Sequence, residues 1–180
     1  MKLLLDACVM YPTVMRSVLL GAARAGCFTP IWSDRILEEW ALSARKIGPT
    51  GEPQARAEIA MVKATFPAAS VTDYQGLEPR LWLPDEGDIH VLAAAIRGSA
   101  DGIVTMNAKD FPRNILAEEG LSRNDPDALL LGFYNQSPEA LESVAHSVNS
   151  EANRLSGKAW ELRALMKKAR LPRFGKALTR

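Results

Sequence analysis

Two short apolar runs, far apart in the chain, constrain the fold most. Lys2-Leu3-Leu4-Leu5 ends at Asp6, and Gly102-Ile-Val-Thr-Met106 leads through Asn107 to Asp110. Each reads as a buried strand with polar residues where it leaves the core. Between and beyond them the apolar residues recur at helical spacing. Val14, Val18, Leu19 and Ala22 predict a helix over 14–25, stopped by Gly26. Thr29-Pro-Ile-Trp32 predicts a second short strand. Ser33 is an N-cap for a helix over 34–44, with Ile36, Leu37 and Trp40 on one face. A loop over 48–53, a helix over 54–65 and a weak strand over 69–72 follow. The turn Pro84-Asp-Glu-Gly-Asp88 leads into a helix over 89–97 that is small and apolar nearly all round, so it packs deeply. Asp125-Pro126 opens another helix. Ser137 as N-cap and Pro138 at the first position open the next. A last amphipathic helix is predicted over 157–170. Strands alternating with helices specify an α/β protein with a mostly parallel central sheet.

That topology gives four acidic residues a reason to meet. Asp6 and Asp110 follow strands, whereas Glu39 and Asp88 sit in or at the first turns of helices. In parallel α/β sheets these positions share one edge, beyond the carboxyl ends of the strands, where ligands bind. Converging carboxylates repel unless a cation or protons neutralise them. The set therefore points to Mg²⁺ or Mn²⁺, and so to phosphoryl chemistry. Glu38 and Glu39 lie about 100° apart on a helix, so only one can face a given site, and Glu39 is favoured by its place between Ile36 and Trp40. Asp88 is either a plain N-cap or a cap that also ligates. Asp85 is the second choice there, or a helper beside it. His90 reads as a core or supporting histidine rather than a ligand. Thr105 and Asn107 form a polar edge after their strand. Asp110 is either a ligand or the start of the turn at Phe111-Pro112.

Other classes find little support. With 180 residues, 47% hydrophobic and 24% charged, the composition is that of an ordinary globular protein. No apolar run approaches the roughly 20 residues that span a bilayer. Met1–Asp6 meets a charge too early for a signal peptide, so a cytoplasmic location is the expectation. Cys8 and Cys27 read as buried thiols, and two histidines without a CxxC motif argue against zinc. No nucleophile elbow or Gly-rich phosphate loop occurs. An aspartyl-phosphate phosphatase would want a second Asp two residues after Asp6, where Cys8 stands. The net charge of +1 conceals nine Lys/Arg against one acid, Glu161, between Arg154 and Arg180. That segment is either a polyanion-holding surface or a solvated helix with a basic tail.

Taken in order, Leu4-Leu5-Asp6-Ala-Cys-Val, Trp32-Ser33-x-x-Ile-Leu-x-Glu39-Trp, Asp85-x-x-Asp88-x-His-Val-Leu-Ala-Ala-Ala and Ile103-Val-Thr-x-Asn107-x-Lys-Asp110-Phe-Pro resemble a PIN domain. Gly157-Lys-Ala-Trp160 and Leu171-Pro-Arg-Phe resemble the C-terminal extension of toxins from VapBC-type toxin–antitoxin pairs. The resemblance implies a three-layer α/β/α fold, with residues 1–135 as the nuclease domain and 136–180 as a helical extension in one structural unit. It implies a Mg²⁺- or Mn²⁺-dependent ribonuclease that cuts RNA, with a tRNA or rRNA loop as substrate, a cognate antitoxin, a homodimer and no membrane. Carried onto this chain, the site is Asp6, Glu39, Asp88 and Asp110, with Thr105 and Asn107 beside it. Asp6 and Asp88 are the expected direct ligands, and Glu39 and Asp110 are expected to act through water or to position the nucleophile. Many PIN toxins carry an Asp where Asn107 stands, so either Asp110 supplies the fourth carboxylate or the site has three. A non-catalytic RNA- or protein-binding module and a housekeeping RNA-processing nuclease are the alternatives.

Overall fold

A computed structural model describes residues 1–179. Arg180, the last cation of the basic C-terminal stretch, lies outside them. The chain forms two compact units, one of residues 1–11 and 29–124, the other of residues 12–28 and 125–180.

The first unit is built on five strands: β1 (Lys2–Leu5), β2 (Thr29–Ser33), β3 (Ser70–Val71), β4 (Gly102–Val104) and β5 (Ser122–Asn124). They form one sheet in the order β3-β2-β1-β4-β5, and every pairing is parallel. The α/β/α fold class expected from the sequence is the one observed, and its sheet is parallel throughout. Leu3, Leu4, Leu5, Ile103 and Val104 are fully buried. Their nearly continuous apolar character is what a strand covered on both faces requires. In this unit α1 (Ala7–Met10) follows β1, α3 (Asp34–Ser43) follows β2, and α4 (Gly51–Thr65) follows α3. Then α5 (Ile89–Arg97) precedes β4, and α6 (Arg113–Glu118) leads into β5. Helix α5 lies against β1, β2 and β4. Val91 through Ala95 are fully buried, which accounts for a helix with almost no polar side. Each of the larger side chains there contributes about 1.5–3 kcal/mol.

The second unit is all helical. It holds α2 (Thr13–Arg24), α7 (Pro126–Gln136), α8 (Pro138–Ser156), α9 (Leu162–Lys168) and α10 (Pro172–Ala177). Gly21 lets α2 approach α8 closely, since a Cβ there would collide with Val144. The buried Asp127 carboxylate accepts from the backbone N–H groups of Arg173 (3.0 Å) and Phe174 (2.9 Å) and from Arg173 Nε (3.2 Å), so it caps α10.

Several spans differ from expectation. Helix α4 begins at Gly51 rather than 54, because Pro53 falls in its first turn, where no donor is lost. Ser137 makes no side-chain cap to α8. The helix expected over 157–170 starts only at Leu162: Gly157 adopts φ 65°, ending α8 in a left-handed cap. Residues 158–161 then run along α8, where Asn153 Oδ1 accepts from Trp160 N (2.7 Å) and Asn149 donates to Trp160 O (3.2 Å). Strand β5, polar and half exposed, carries no apolar run to betray it.

Candidate metal centre

The strand order places the site. The chain moves from β1 outward to β2 and β3, then returns to β4 and β5 on the other side. The switch between β1 and β4 opens a crevice at their carboxyl ends. Asp6 leaves β1 there, and Thr105 leaves β4 beside it. Thr105 Oγ1 donates to Asp6 Oδ2 across the gap at 2.8 Å. Asp6 Oδ1 accepts from Ala7 N (2.7 Å), so this side chain also caps α1, and the Cys8 thiol donates to Oδ2 at 3.1 Å. Asp6 is buried. Burial raises its pKa, partly offset by those three hydrogen bonds, and the Glu39 charge raises it further. Cys8 and Cys27 are both free thiols. The Cys8 thiol, half-buried and next to Asp6, is pushed up to about 12 by desolvation and by the Asp6 charge, so it stays protonated and donates to the carboxylate.

The tightest acidic group is Asp85, Asp88 and Asp110. One carboxylate oxygen from each lies within 4.8 Å of the others. Asp88 occupies the N-cap position of α5 but makes no capping hydrogen bond. Asp85 caps the 3-10 turn just before α5, accepting from Gly87 N at 2.8 Å. Asp88 is therefore free to face the other carboxylates. Its pKa is raised to about 6 by burial and by the charges of Asp6, Asp85, Asp110 and Glu39, in that order. The charges of Asp6, Asp110 and Glu39 thus all bear on Asp88, and that of Asp85 joins them. Asp6 and Glu39 stand outside the 4.8 Å group. Asn107 Nδ2 donates to Asp88 Oδ2 at 3.3 Å, and Asn107 N donates to Thr105 Oγ1 at 3.0 Å. Asp110, three residues after Asn107, brings a carboxylate into the group with Asp85 and Asp88.

Glu38 and Glu39 part ways. Glu38 faces solvent in a two-pronged ion pair with Arg56, at 2.9 and 2.8 Å. Glu39 turns toward the acids and toward His90, whose Nε2 lies 2.8 Å from Glu39 Oε1. That approach is off the ring N–H direction, so it is an electrostatic contact rather than an aligned hydrogen bond, and neither ring nitrogen has another partner. Asp85's place in the metal-type group and the thiol of Cys8 are the two features that sequence reasoning undervalued. The signal for the first was present, since Asp85 and Asp88 are three apart at a helix start and so lie on one face.

An oxygen-only set of clustered carboxylates suits a hard divalent cation rather than zinc. The mutual repulsion that lifts Asp88 is what such a cation would relieve. A parallel α/β unit with clustered carboxylates at the carboxyl edge of its sheet defines a class of fold suited to holding a divalent cation. The family model described as PIN domain matches residues 2–109, more than half of the chain, and the protein belongs to that family. PIN domains are generally metal-dependent nucleases, and PIN nucleases act on RNA. No curated protein matches the chain. No solved structure matches it either. Among the described residues no helix is long and apolar enough to cross a membrane.

Proposed function

We propose that this protein is a divalent-metal-dependent endoribonuclease that hydrolyses RNA phosphodiester bonds to a 5′-phosphate and a 3′-hydroxyl. The observation that carries the reading is the convergence of Asp85, Asp88 and Asp110 within 4.8 Å in a PIN domain. Asp88 and Asp110, with Asp85 or Asp6, would hold Mg²⁺ or Mn²⁺. When bound, the cation supplies Lewis acidity toward a phosphate oxygen and lowers the pKa of water.

The chain's own residues prepare that chemistry. Thr105 and Cys8 orient the Asp6 carboxylate with donated hydrogen bonds, which offset part of the upward shift that burial imposes. Asn107 fixes Asp88 by donating to one oxygen and leaves the other oxygen open. Glu39, held by His90, is the acid set to orient an attacking water and accept its proton. As the P–O3′ bond breaks, the electron pair leaves on the 3′ oxygen, which takes a proton. No covalent intermediate is needed.

The finer reading is that of a toxin silenced by a cognate antitoxin and acting as a homodimer. It rests on the resemblance of the Trp160 and Leu171–Phe174 segments to VapBC-type toxins. Purified protein incubated with RNA and Mg²⁺ tests the activity, with EDTA and Asp6→Asn as controls. Cleavage that persists undiminished in repeatedly purified Asp6→Asn and Asp88→Asn would refute the site. Growth arrest on expression, relieved by a small neighbouring reading frame with a DNA-binding pattern, tests the toxin role.

A further inference from the structure

The fold sorts charge by unit. Residues 12–28 and 125–180 hold eleven Lys/Arg against six Asp/Glu, a net of +5, while the sheet unit holds eleven against fifteen, a net of −4. Within the helical unit Arg154 pairs with Glu151, and Arg173 pairs with Asp125 and Asp127. Six exposed cations between 158 and 176 have no ion pair among the described residues: Lys158, Arg163, Lys167, Lys168, Arg170 and Lys176.

Helix electrostatics does not account for them. Lys167 and Lys168 in the last turn of α9 complement its dipole, but Arg163 sits in the first turn, at the positive end. Arg163 and Lys167 are also i,i+4 like charges, which repel. The cations are therefore kept at a cost to the helix. Two of them are held in place: Lys168 Nζ lies 4.5 Å and Lys158 Nζ 5.7 Å from the centroid of the Trp160 ring. Trp160 is itself fixed to α8 through Asn149 and Asn153. Lysine heads that are already positioned lose less freedom on meeting a ligand. Unpaired cations gathered on one short helix and around one ring suit a polyanion such as a polynucleotide backbone.

We infer that the cationic surface around Trp160 and α9 binds the phosphate backbone of the RNA substrate, without regard to sequence. This inference rests on the ribonuclease reading for the identity of the polyanion, and its test is independent of cleavage. Binding of a labelled single-stranded RNA is measured in EDTA over a range of salt, for the wild type and for the exposed triple variant Lys158→Gln/Arg163→Gln/Lys167→Gln. The variant's Kd is expected to rise roughly tenfold or more at 0.1 M salt, and its log–log salt slope to fall by about 2, for three phosphate contacts on a single strand. Poly(U) and poly(A) should lose affinity alike.

An unchanged Kd and slope would overturn the inference, as would a wild type that binds no RNA. A variant that keeps full RNA affinity but loses an acidic protein partner would overturn it in favour of a protein-binding surface. Metal binding by Asp88 and Asp110 serves as the folding control and is expected to be unchanged. If RNA binding depends on the three cations while the wild type cuts nothing, the surface stands and the nuclease reading falls. If cleavage is robust and the variant binds normally, the reverse holds.

Discussion

Nε2 of His90 lies 2.8 Å from Oε1 of Glu39, and His90 is buried to within 1%. It is the nearest cation-capable group to Glu39, since Arg35 Nε stands off at 3.7 Å in solvent. Removing the imidazole frees Glu39 to swing toward Arg35. Replacing His90 with Phe is expected to lower kcat by about 10–100-fold, the range for partners that orient a site's carboxylates. His90→Gln keeps a polar group against Glu39 and should lose less. Because the effect runs through Glu39, the same substitution in a Glu39→Gln background should add little, and a double-mutant cycle on kcat measures this.

Asp88 couples activity to pH and stability with opposite signs. Its pKa is raised from 3.8 to about 6, so without metal the folded state binds its proton more tightly than the unfolded chain does. That contribution is present in acid and is lost as pH rises through about 6. In EDTA at pH 7.5, Asp88→Asn should therefore melt higher than the wild type, by about 1 kcal/mol once solvent screening of a half-exposed group is allowed for. The gap should close toward pH 4. The same variant should lose cleavage on the order of 10²-fold or more, because a ligand worth several kcal/mol of charge stabilisation is gone. Thermal scans in EDTA at the two pH values and Mg²⁺-dependent rates check both halves.

Metal affinity should itself fall with acidity. A protonated Asp88 cannot ligate, so Mg²⁺ binding followed by calorimetry is expected to weaken as pH drops below about 6. Asp88→Asn should flatten that dependence.

Thr105 donates to a buried carboxyl group. Thr105→Val leaves Asp6 Oδ2 with only the weaker thiol donor of Cys8. The expected cost is about 1–3 kcal/mol in urea unfolding at neutral pH. Asp6 should also hold its proton more tightly and Mg²⁺ less tightly. Cys8→Ser keeps a donor and should change both far less.

Asp127 holds the last helix by accepting three hydrogen bonds around Arg173 and Phe174. Asp127→Ala strands two backbone N–H groups and should cost about 2–3 kcal/mol. Hydrogen exchange over 172–178 should accelerate, while the residues of the acidic crevice keep their protection.

Much of the site was legible because its residues sit where elements begin and end. Asp6 after a Leu run and Thr105 after Ile103-Val104 mark strand exits, and parallel pairing forces those exits to one edge. Helix α5 could be bounded from its composition alone, and Ser33 caps α3 as its type predicts. What escaped depended on direction rather than type. The places of Ile36 and Trp40 rank Glu39 over Glu38, but they do not show that Arg56, eighteen residues on, pairs with Glu38. Asp85 reads as second choice to Asp88 until it is seen to cap the 3-10 turn before α5 and to join Asp88 and Asp110. Strand β5 lacks an apolar pattern because it lies at the sheet edge, where backbone pairing with β4 holds it.

The sequence by itself determined the alternation of elements, the parallel sheet and the identity of most acids at its edge. Local periodicity and capping act over a few residues, and those rules suffice for such features. Only the tertiary structure decided that Asp85, Asp88 and Asp110 form the tight group, that Asp6 spends its oxygens on Ala7, Cys8 and Thr105, and that Glu39 answers to His90. Those assignments rest on distances between residues up to about a hundred positions apart, and folding alone sets them. The four acids repel one another in any order along the chain. Where each one points determines which of them a cation can join.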